Sequence, residues 1–411
     1  MESPPPIVNM DFNSTTPMDP AVIKAVHEAC INLWTNPSSG YATGCHAKKM
    51  IEESRHRVAK MINCTDYGDN IIFTSGGTET NNWVIYSVIE SFNIFARLKQ
   101  DSHCVPHIIT TNIEHDSVRL ILEKLLSDGK LEVTFVEVSK ATGFVSAQDV
   151  IDAIRSNTVL ITVMLANNET GIFQPVARIS ELLTTVNERR LGKEIYLHTD
   201  AAQVIGKIKV DVGKLGVDYL TIVGHKFYAP RIGALYRKSH APLHPIFFGG
   251  GQEDGLRPGT ENTPMIIGLG VAAELVYDNI DRYENHMTSL RQGMETKLID
   301  RFGSLVTING QHCSTYGRLP NTISLTFTDS KLKGSEILSK CKTLRACVGA
   351  ACHSGQLKPS AVLIASGVDR SLASCTIRLS LGRESEESDV EIAVSELEAA
   401  VKSILGASVI S

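Results

Sequence analysis

The chain has 411 residues, 43% of them hydrophobic and 21% charged, a composition typical of a globular protein with one large domain and a smaller companion. A formal net charge of -5 leaves no broad basic field, which argues against nucleic acid or membrane as the main partner and favours a small ligand. No apolar run approaches the roughly 18 residues of a membrane span, and the first residues lack signal features, so we expect a cytosolic protein. The nine cysteines form neither a disulfide framework nor a zinc motif, so we expect reduced thiols and no metal.

The predicted elements begin with a short apolar segment at residues 7–12, followed by an amphipathic helix over about 20–33 and a second helix that ends near Met61. Short β-branched runs then alternate with helical stretches, at residues 71–73, 107–110, 133–136, 159–165, 195–197 and 219–223. Runs as apolar as 159–165 fit strands buried on both faces. The pattern predicts an α/β fold with a doubly wound, mostly parallel sheet, whose ligands bind beyond the carboxyl ends of the strands.

A long helical pattern follows from about residue 264 to 302, and after it comes a smaller α/β unit. Its predicted strands are 322–327 and 376–381, closed by an amphipathic helix that includes residues 390–404. We therefore expect an N-terminal segment, 1–20, that packs with the small domain, a large ligand-binding domain, 21–263, and a connector helix with a small C-terminal domain, 264–411.

The first chemical signal is the run Ser75-Gly76-Gly77-Thr78-Glu79, between a predicted strand and the helix through Trp83. Glycines expose free backbone N–H groups at a helix N-terminus, which makes a cradle for phosphate. Gly77 and Thr78 are the expected contacts. A plain strand-to-helix turn is the alternative for this run taken alone.

Two further runs follow the next strands, Asp200-Ala201-Ala202-Gln203 and Gly224-His225-Lys226. A carboxylate that keeps a pyridinium nitrogen protonated and a lysine that bonds to an aldehyde are the two protein groups expected in a pyridoxal 5'-phosphate site. A lysine after a strand is otherwise usually a solvated surface charge. The prediction therefore rests on finding the glycine-rich run, the aspartate and the lysine in this order, each after a predicted strand.

Nine motifs in order make the chain resemble the class-V aminotransferase family, in the branch of cysteine desulfurases and selenocysteine lyases. They are residues 11–17, 36–39, 74–80, 114–115, 167–171, 200–203, 224–226, 257–260 and 378–383. The resemblance covers nearly the whole chain. It implies the fold of fold-type-I pyridoxal-phosphate transferases, with pyridoxal 5'-phosphate bonded to Lys226.

The resemblance also assigns roles around the cofactor. His115 would stack on the ring and relay protons, and Asn168 and Gln203 would hydrogen-bond its phenolic oxygen. His225 would contact the phosphate, and Thr260 would reach the phosphate of a neighbouring subunit, which implies a homodimer. One departure is Val223, where many family members carry a serine that donates to the phosphate.

The substrate residues are also implied by the resemblance. Arg378 would bind the substrate carboxylate, since a guanidinium offers two parallel donors, and Asn36 would assist from the large domain. Cys352, in a loop of small residues, coincides with the family's chalcogen-handling cysteine, and His353 is placed to lower its pKa. The alternatives are a surface arginine and a cysteine that only fills space.

The implied reaction converts L-selenocysteine to L-alanine with release of selenium. Lys226 would act as the base, and Cys352 would either attack the selenium or protonate it as it leaves. The motifs around Cys352, Lys226 and Thr260 are more similar to selenocysteine lyases than to desulfurases. Asp116 is a candidate selectivity residue. A selenol ionises below neutral pH, whereas a thiol has a pKa of about 8.5, so an acidic neighbour would hinder ionisation of a bound cysteine and leave a selenol reactive. The alternative role of Asp116 is to cap the following helix.

Two other functions stay open at the level of sequence. The first is a cysteine desulfurase that makes L-alanine and an enzyme persulfide for iron-sulfur or thiolation pathways, and the second is a catalytically silent scaffold with the same fold. The intact Lys226, Asp200, His115 and Cys352 argue against the scaffold. A selenium-accepting protein is a further candidate partner.

Overall fold

A computed structural model describes residues 7–64, 71–98, 104–190, 193–311, 313, 315–348 and 359–406. Cys352 and His353 lie outside these residues, as do the first six residues of the predicted N-terminal segment. Within the described part of the chain, no helix is long and apolar enough to cross a membrane.

The described chain alternates between strands and helices. The strands are β1 Val8–Asn9, β2 Ile71–Thr74, β3 His107–Thr111, β4 Glu132–Val136, β5 Thr158–Thr162, β6 Tyr196–Asp200, β7 Tyr219–Val223, β8 Gly233–Arg237, β9 Val306–Ile308, β10 Thr322–Phe327, β11 Leu344–Arg345 and β12 Thr376–Ser380. The α-helices are α1 Pro20–Asn32, α2 Ala42–Met61, α3 Gly77–Leu98, α4 Asp116–Ser127, α5 Ala147–Asp152, α6 Val176–Arg189, α7 Val212–Leu215, α8 Thr263–Phe302, α9 Gly334–Lys340, α10 Ala361–Ala365 and α11 Glu387–Leu405.

The large sheet has seven strands in the order β2-β8-β7-β6-β5-β3-β4. Strand β8 runs antiparallel to both of its neighbours, and the other pairs are parallel. All six predicted strands of this sheet are present, although the longest ends at Thr162 rather than at residue 165. The predicted doubly wound, mostly parallel α/β fold is confirmed, and β8 was not predicted.

Alternating side chains of the large sheet enter two separate hydrophobic cores. Ile71 and Phe73 join a core shared with α2, α6 and α8, whereas Ile72 joins a core shared with α3 and α4. Ile108 and Ile109 divide in the same way. Because successive side chains of a strand point to opposite faces, helices cover both faces of the sheet, and only its edges and ends remain for a ligand.

A third core belongs to the C-terminal part of the chain. Strands β12, β10 and β9 form an antiparallel sheet that packs with α11 and the second half of α8. The N-terminal segment joins this core, since Val8 pairs with Leu344 and Met10 is fully buried there. Helix α8 contributes to two cores, so the predicted domain division at residue 264 stays a prediction.

Candidate active site

Eight of the nine residues predicted to hold a cofactor line one cavity beyond the carboxyl ends of the parallel strands: Gly77, Thr78, His115, Asn168, Asp200, Gln203, His225 and Lys226. The cavity has a volume of about 220 Å³. Neighbouring parallel strands end at the same edge, which brings together groups far apart in sequence. A cleft of about 350 Å³ beside Lys60 and Asp281 is larger but collects no comparable chemistry.

Lys226 lies in the connection between β7 and the antiparallel β8, and its side chain is largely buried. Its Nζ donates to the main-chain carbonyls of Asn13, at 2.7 Å, and Ser14, at 2.8 Å. Burial, and then the charge of Arg378, lower the pKa of Lys226 to about 8, against the opposing effect of nearby carboxylates. The amine can therefore lose its proton near neutral pH, as a nucleophile or base must.

Asp200 ends strand β6, and its carboxylate is held in one orientation. One oxygen accepts from Asn81 Nδ2 at 2.8 Å, and the other accepts from the N–H of Ala202 at 2.9 Å. Thr221 donates its hydroxyl to Asn81 Oδ1 at 2.6 Å, so the NH₂ of Asn81 must face the carboxylate. Asp200 is thus a fixed anion in the cavity wall.

His115 caps the N-terminus of α4 and is linked to the same network. Its Nδ1 accepts from the N–H of Ser117 at 3.1 Å and lies 2.8 Å from the Ser117 hydroxyl. Asn81 donates to that hydroxyl oxygen at 2.8 Å. Because Nδ1 accepts, the proton of the neutral ring is on Nε2, and Asn81 connects the orientation of His115 to that of Asp200.

The predicted phosphate cradle lies at the start of the 22-residue helix α3. The first N–H groups of a helix have no acceptor within it, and Gly77 and Thr78 occupy these positions beside the cavity. The opposite wall is Val223, whose Cγ2 would lie 2.6 Å from a β-carbon at position 77. Glycine is therefore required opposite Val223, which presents a methyl group rather than a donor.

His225 lies next to Lys226 and is half-buried, with its Nδ1 3.1 Å from Thr15 Oγ1. Burial lowers the pKa of His225 to about 4, and the charges of Lys226 and Arg231 act in the same direction. The ring is neutral at physiological pH, so it can offer a hydrogen bond to a phosphate but no charge.

Asn13, within the motif at residues 11–17, is a buried junction beside the cavity. Its carbonyl accepts from Lys226 and, at 3.1 Å, from Gln203 Nε2. Its side-chain Nδ2 donates to Thr322 Oγ1 at 2.8 Å and lies 3.4 Å from the carbonyl of Asn168. The N-terminal segment thereby joins the small antiparallel sheet to the cavity.

Arg378 on β12 is 4% exposed and faces the same N-terminal segment. It donates to Asp11 Oδ1 at 2.7 Å, to Ser14 Oγ at 2.8 Å and to the carbonyl of Asn168 at 2.9 Å. Its Nε is buried without a partner among the described residues. An unsatisfied guanidinium N–H is costly, so an arriving carboxylate would gain a charge-assisted bond here.

Four predicted residues are not part of the cavity wall that the described residues form: Arg378, Asn36, Thr260 and Asp116. Arg378 lies beside the wall, bonded to the carbonyl of the lining residue Asn168. Asn36 is exposed and bonds within its own loop, and Thr260 is exposed in the loop before α8. Asp116 is the first residue of α4, with its carboxylate 2.7 Å from Arg119. The alternative role of Asp116 as the helix cap is wrong, because His115 occupies the cap position.

Sequence reasoning missed three polar residues of the site: Ser117 in the cavity wall, and Asn81 and Lys207 behind it. Asn81 lies four residues after Gly77 on α3, and Lys207 lies four residues after Gln203. Residues four apart share a face of a helix, so this spacing could have identified Asn81. Residues 202–207 form turns, so no helical spacing pointed to Lys207.

The arrangement fits pyridoxal 5'-phosphate by the chemistry of its donors. Free N–H groups at the start of α3 suit a phosphate, the fixed carboxylate of Asp200 suits a protonated ring nitrogen, and the Lys226 amine suits an aldehyde. The narrow gap between Gly77 and Val223 brings the backbone close to the expected phosphate.

The chain belongs to the class-V aminotransferase family, because the model of that family, Aminotransferase class-V, matches residues 8–392. It is accordingly a fold-type-I enzyme that depends on pyridoxal phosphate, and the predicted resemblance is confirmed.

Particular relatives narrow the similarity further. The chain is 47% identical to the selenocysteine lyase of Xenopus tropicalis over 405 residues, which cover 96% of this chain and 93% of the relative. It is 35% identical to the cysteine desulfurase IscS of Clostridium botulinum over 402 residues, which cover 96% and 94%. A solved structure named as a NifS-like protein matches with a TM-score of 0.84 at 31% identity, covering 96% of this chain and 99% of that one.

Proposed function

We propose that this protein is a selenocysteine lyase that converts L-selenocysteine to L-alanine and releases selenium. The observation that carries the proposal is that Lys226 and Asp200 line one cavity, with Arg378 close enough for its charge to lower the pKa of Lys226, in a chain 47% identical to a selenocysteine lyase. The lower identity to a cysteine desulfurase, 35%, makes cysteine the second candidate substrate.

Each group has a chemical task in this proposal. Arg378 binds the substrate carboxylate, since its buried guanidinium has an unused N–H among its described contacts. Lys226 removes the proton from the substrate α-carbon, and a pKa near 8 lets the amine accept a proton and return it. The bound cofactor supplies an electron-withdrawing ring, and Asp200 keeps the ring nitrogen protonated.

The overall reaction balances without an outside oxidant or reductant. Selenocysteine and alanine differ by one selenium atom, so the C–Se bond is replaced by a C–H bond when selenium leaves as a neutral atom. We propose Cys352 as the group that meets the selenium. Its thiolate bonds to the selenium as the C–Se bond breaks, the electron pair of that bond stays with the carbon, and the carbon takes up a proton. The alternative, in which Cys352 gives the departing selenium a proton, yields selenide and requires a thiol reductant to supply two electrons. His115 can move a proton at its Nε2.

The decisive assay measures alanine formed from L-selenocysteine and from L-cysteine at matched concentrations. We expect turnover of selenocysteine to exceed that of cysteine, and Cys352→Ala to lose most of it. Equal or faster turnover of cysteine would favour the desulfurase. Lys226→Ala is the inactive control, because it removes both the cofactor bond and the base. A protein with no borohydride-reducible chromophore would instead be a silent scaffold.

We also propose a homodimer in which Thr260 serves the neighbouring active site. Thr260 is exposed and does not line the cavity of its own chain, and large apolar side chains such as Phe248 and Trp34 are 90% and 77% exposed. Mixing inactive Lys226→Ala with impaired Thr260→Ala chains should restore activity, because half of the mixed sites combine two intact residues. No recovery in a mixed dimer would contradict a shared site.

A further inference from the structure

Lys207 is a buried lysine that the proposed reaction leaves without a task. It is 4% exposed, and its Nζ contacts Asn13 Oδ1 at 3.0 Å, the carbonyl of Gln203 at 2.9 Å and Gln203 Oε1 at 3.0 Å. All three are uncharged oxygens. A buried amine with no carboxylate among these partners loses its hydration without gaining an ion pair. That is unfavourable for folding alone, which indicates a functional reason to keep it.

The contacts of Lys207 determine which way the Gln203 amide faces. The other end of that amide lies 3.1 Å from the main-chain carbonyl of Asn13, which can only accept, so this end is Nε2. The end that faces Lys207 is then Oε1, which suits a lysine that donates. The Asn13 carbonyl and the Lys207 amine thus require the same orientation of the amide. The second N–H of Nε2 is then available to donate to a ligand in the cavity that Gln203 lines.

Lys207 also holds Asn13, the second partner of this amide. Asn13 Oδ1 accepts from Lys207 and from Asn321 Nδ2 at 3.1 Å, while the carbonyl of Asn13 accepts from Gln203 and Lys226. The bond from Gln203 to this carbonyl does not depend on Lys226, so it can persist when Lys226 bonds to another group. Lys207 therefore supports the Gln203 orientation from both sides.

The charge at Lys207 depends on what enters the cavity. Burial, and then the charges of Lys226 and Arg378, lower the pKa of Lys207 well below its usual range. Three oxygen acceptors at about 3 Å act in the opposite direction, because only the ammonium form has three N–H groups for them. An anionic ligand beside these basic groups would favour the ammonium form.

We propose that Lys207 is a positioning residue of the cofactor site, which holds the Gln203 amide so that its free N–H donates to the ring oxygen of the cofactor. The identity of that acceptor rests on the proposed function. Lys207 itself does not touch the cofactor in this proposal.

A double-mutant cycle on the whole protein tests the inference. The variants are Lys207→Met, Gln203→Leu and their combination, with Lys209→Met as a matched control, because Lys209 is an exposed lysine of the same segment. The measurements are the affinity of apoprotein for pyridoxal phosphate, the pH titration of the bound cofactor's absorption, and the thermal unfolding of apoprotein.

We expect Lys207→Met to weaken cofactor affinity by about tenfold and to shift the absorption titration, as loss of one oriented hydrogen bond would. Gln203→Leu should have an effect of similar size, and the combination should add nothing further, because Lys207 acts through Gln203. Lys207→Gln, which keeps N–H donors, should lie between wild type and Lys207→Met, and Lys209→Met should match wild type.

Two results would overturn the inference. One is a lower unfolding temperature of Lys207→Met or Lys207→Gln with unchanged affinity and absorption, which would make Lys207 a structural tie only. The other is full additivity with Gln203→Leu. If wild-type protein takes up no pyridoxal phosphate, the proposed function itself fails, whereas a normal wild type with unaffected variants refutes only the role of Lys207.

Discussion

Replacing Gly77 by alanine tests the shape of the phosphate cradle. The new β-carbon would lie 2.6 Å from Val223 Cγ2, well inside the carbon–carbon contact distance of about 3.5–4.0 Å. Overpacking of this kind costs about 1–3 kcal/mol, and the higher helix propensity of alanine acts in the opposite direction. The chain can relieve this contact by moving the start of α3 away from Val223, which displaces the N–H groups of the cradle. If the bound state requires the original geometry, the same cost of about 1–3 kcal/mol is lost from binding, so we expect Gly77→Ala to weaken binding of pyridoxal phosphate to the apoprotein by about 5- to 150-fold.

Absorbance titration of apoprotein with pyridoxal phosphate measures this loss, and thermal unfolding shows whether the fold survives. Gly76→Ala is the matched control, since a β-carbon there meets nothing within 4 Å, and it should stay within about twofold of wild type. Gly77→Ala with Val223→Ala should recover most of the affinity, because the opposing methyl is gone. Wild-type affinity in Gly77→Ala, or a double variant no better than the single one, would refute the steric argument.

Three other predictions follow from the site. Burial raises the pKa of Glu114 to about 8, so the folded protein holds a proton there that the unfolded chain loses near pH 4.5, and stability falls as pH rises between these values. Glu114→Gln should gain up to about 2.7 kcal/mol relative to wild type in urea unfolding between pH 5.5 and 7.5, and an unchanged difference would contradict this. Asn81→Leu removes a bond to the Asp200 carboxylate and should lower kcat by at least about tenfold with little change in KM, whereas unchanged kcat would show that Asp200 needs no such support. Asp116→Lys should raise alanine formation from cysteine relative to alanine formation from selenocysteine, and an unchanged ratio would show that Asp116 has no role in selectivity.

Most of the large sheet could be predicted because strand patterns are local. Uninterrupted β-branched runs such as 219–223 report burial on both faces, and the structure has each predicted run as a strand. The return strand β8 was missed. Its pairing with both β2 and β7 is a long-range property that its five residues do not encode alone.

The cofactor residues were predictable for a related reason. Gly77, Asp200 and Lys226 each follow a strand, and parallel strands end at one edge, so their order along the chain already implies that they meet. Asn36 and Thr260 show the limit of this reasoning. Both were assigned by resemblance, and in a single chain neither lines the cavity formed by the described residues.

By itself the sequence determined the fold class, the edge of the sheet that holds the site and the lysine that would bond to the cofactor. Only the tertiary structure decided how those groups are held: Asn81 behind Asp200, Lys207 behind Gln203, and Asn13 between them and the small sheet. The physical reason is that strand periodicity and turn chemistry are local. A hydrogen bond between residues 13 and 322 depends on how two cores pack, which no short stretch of sequence reveals.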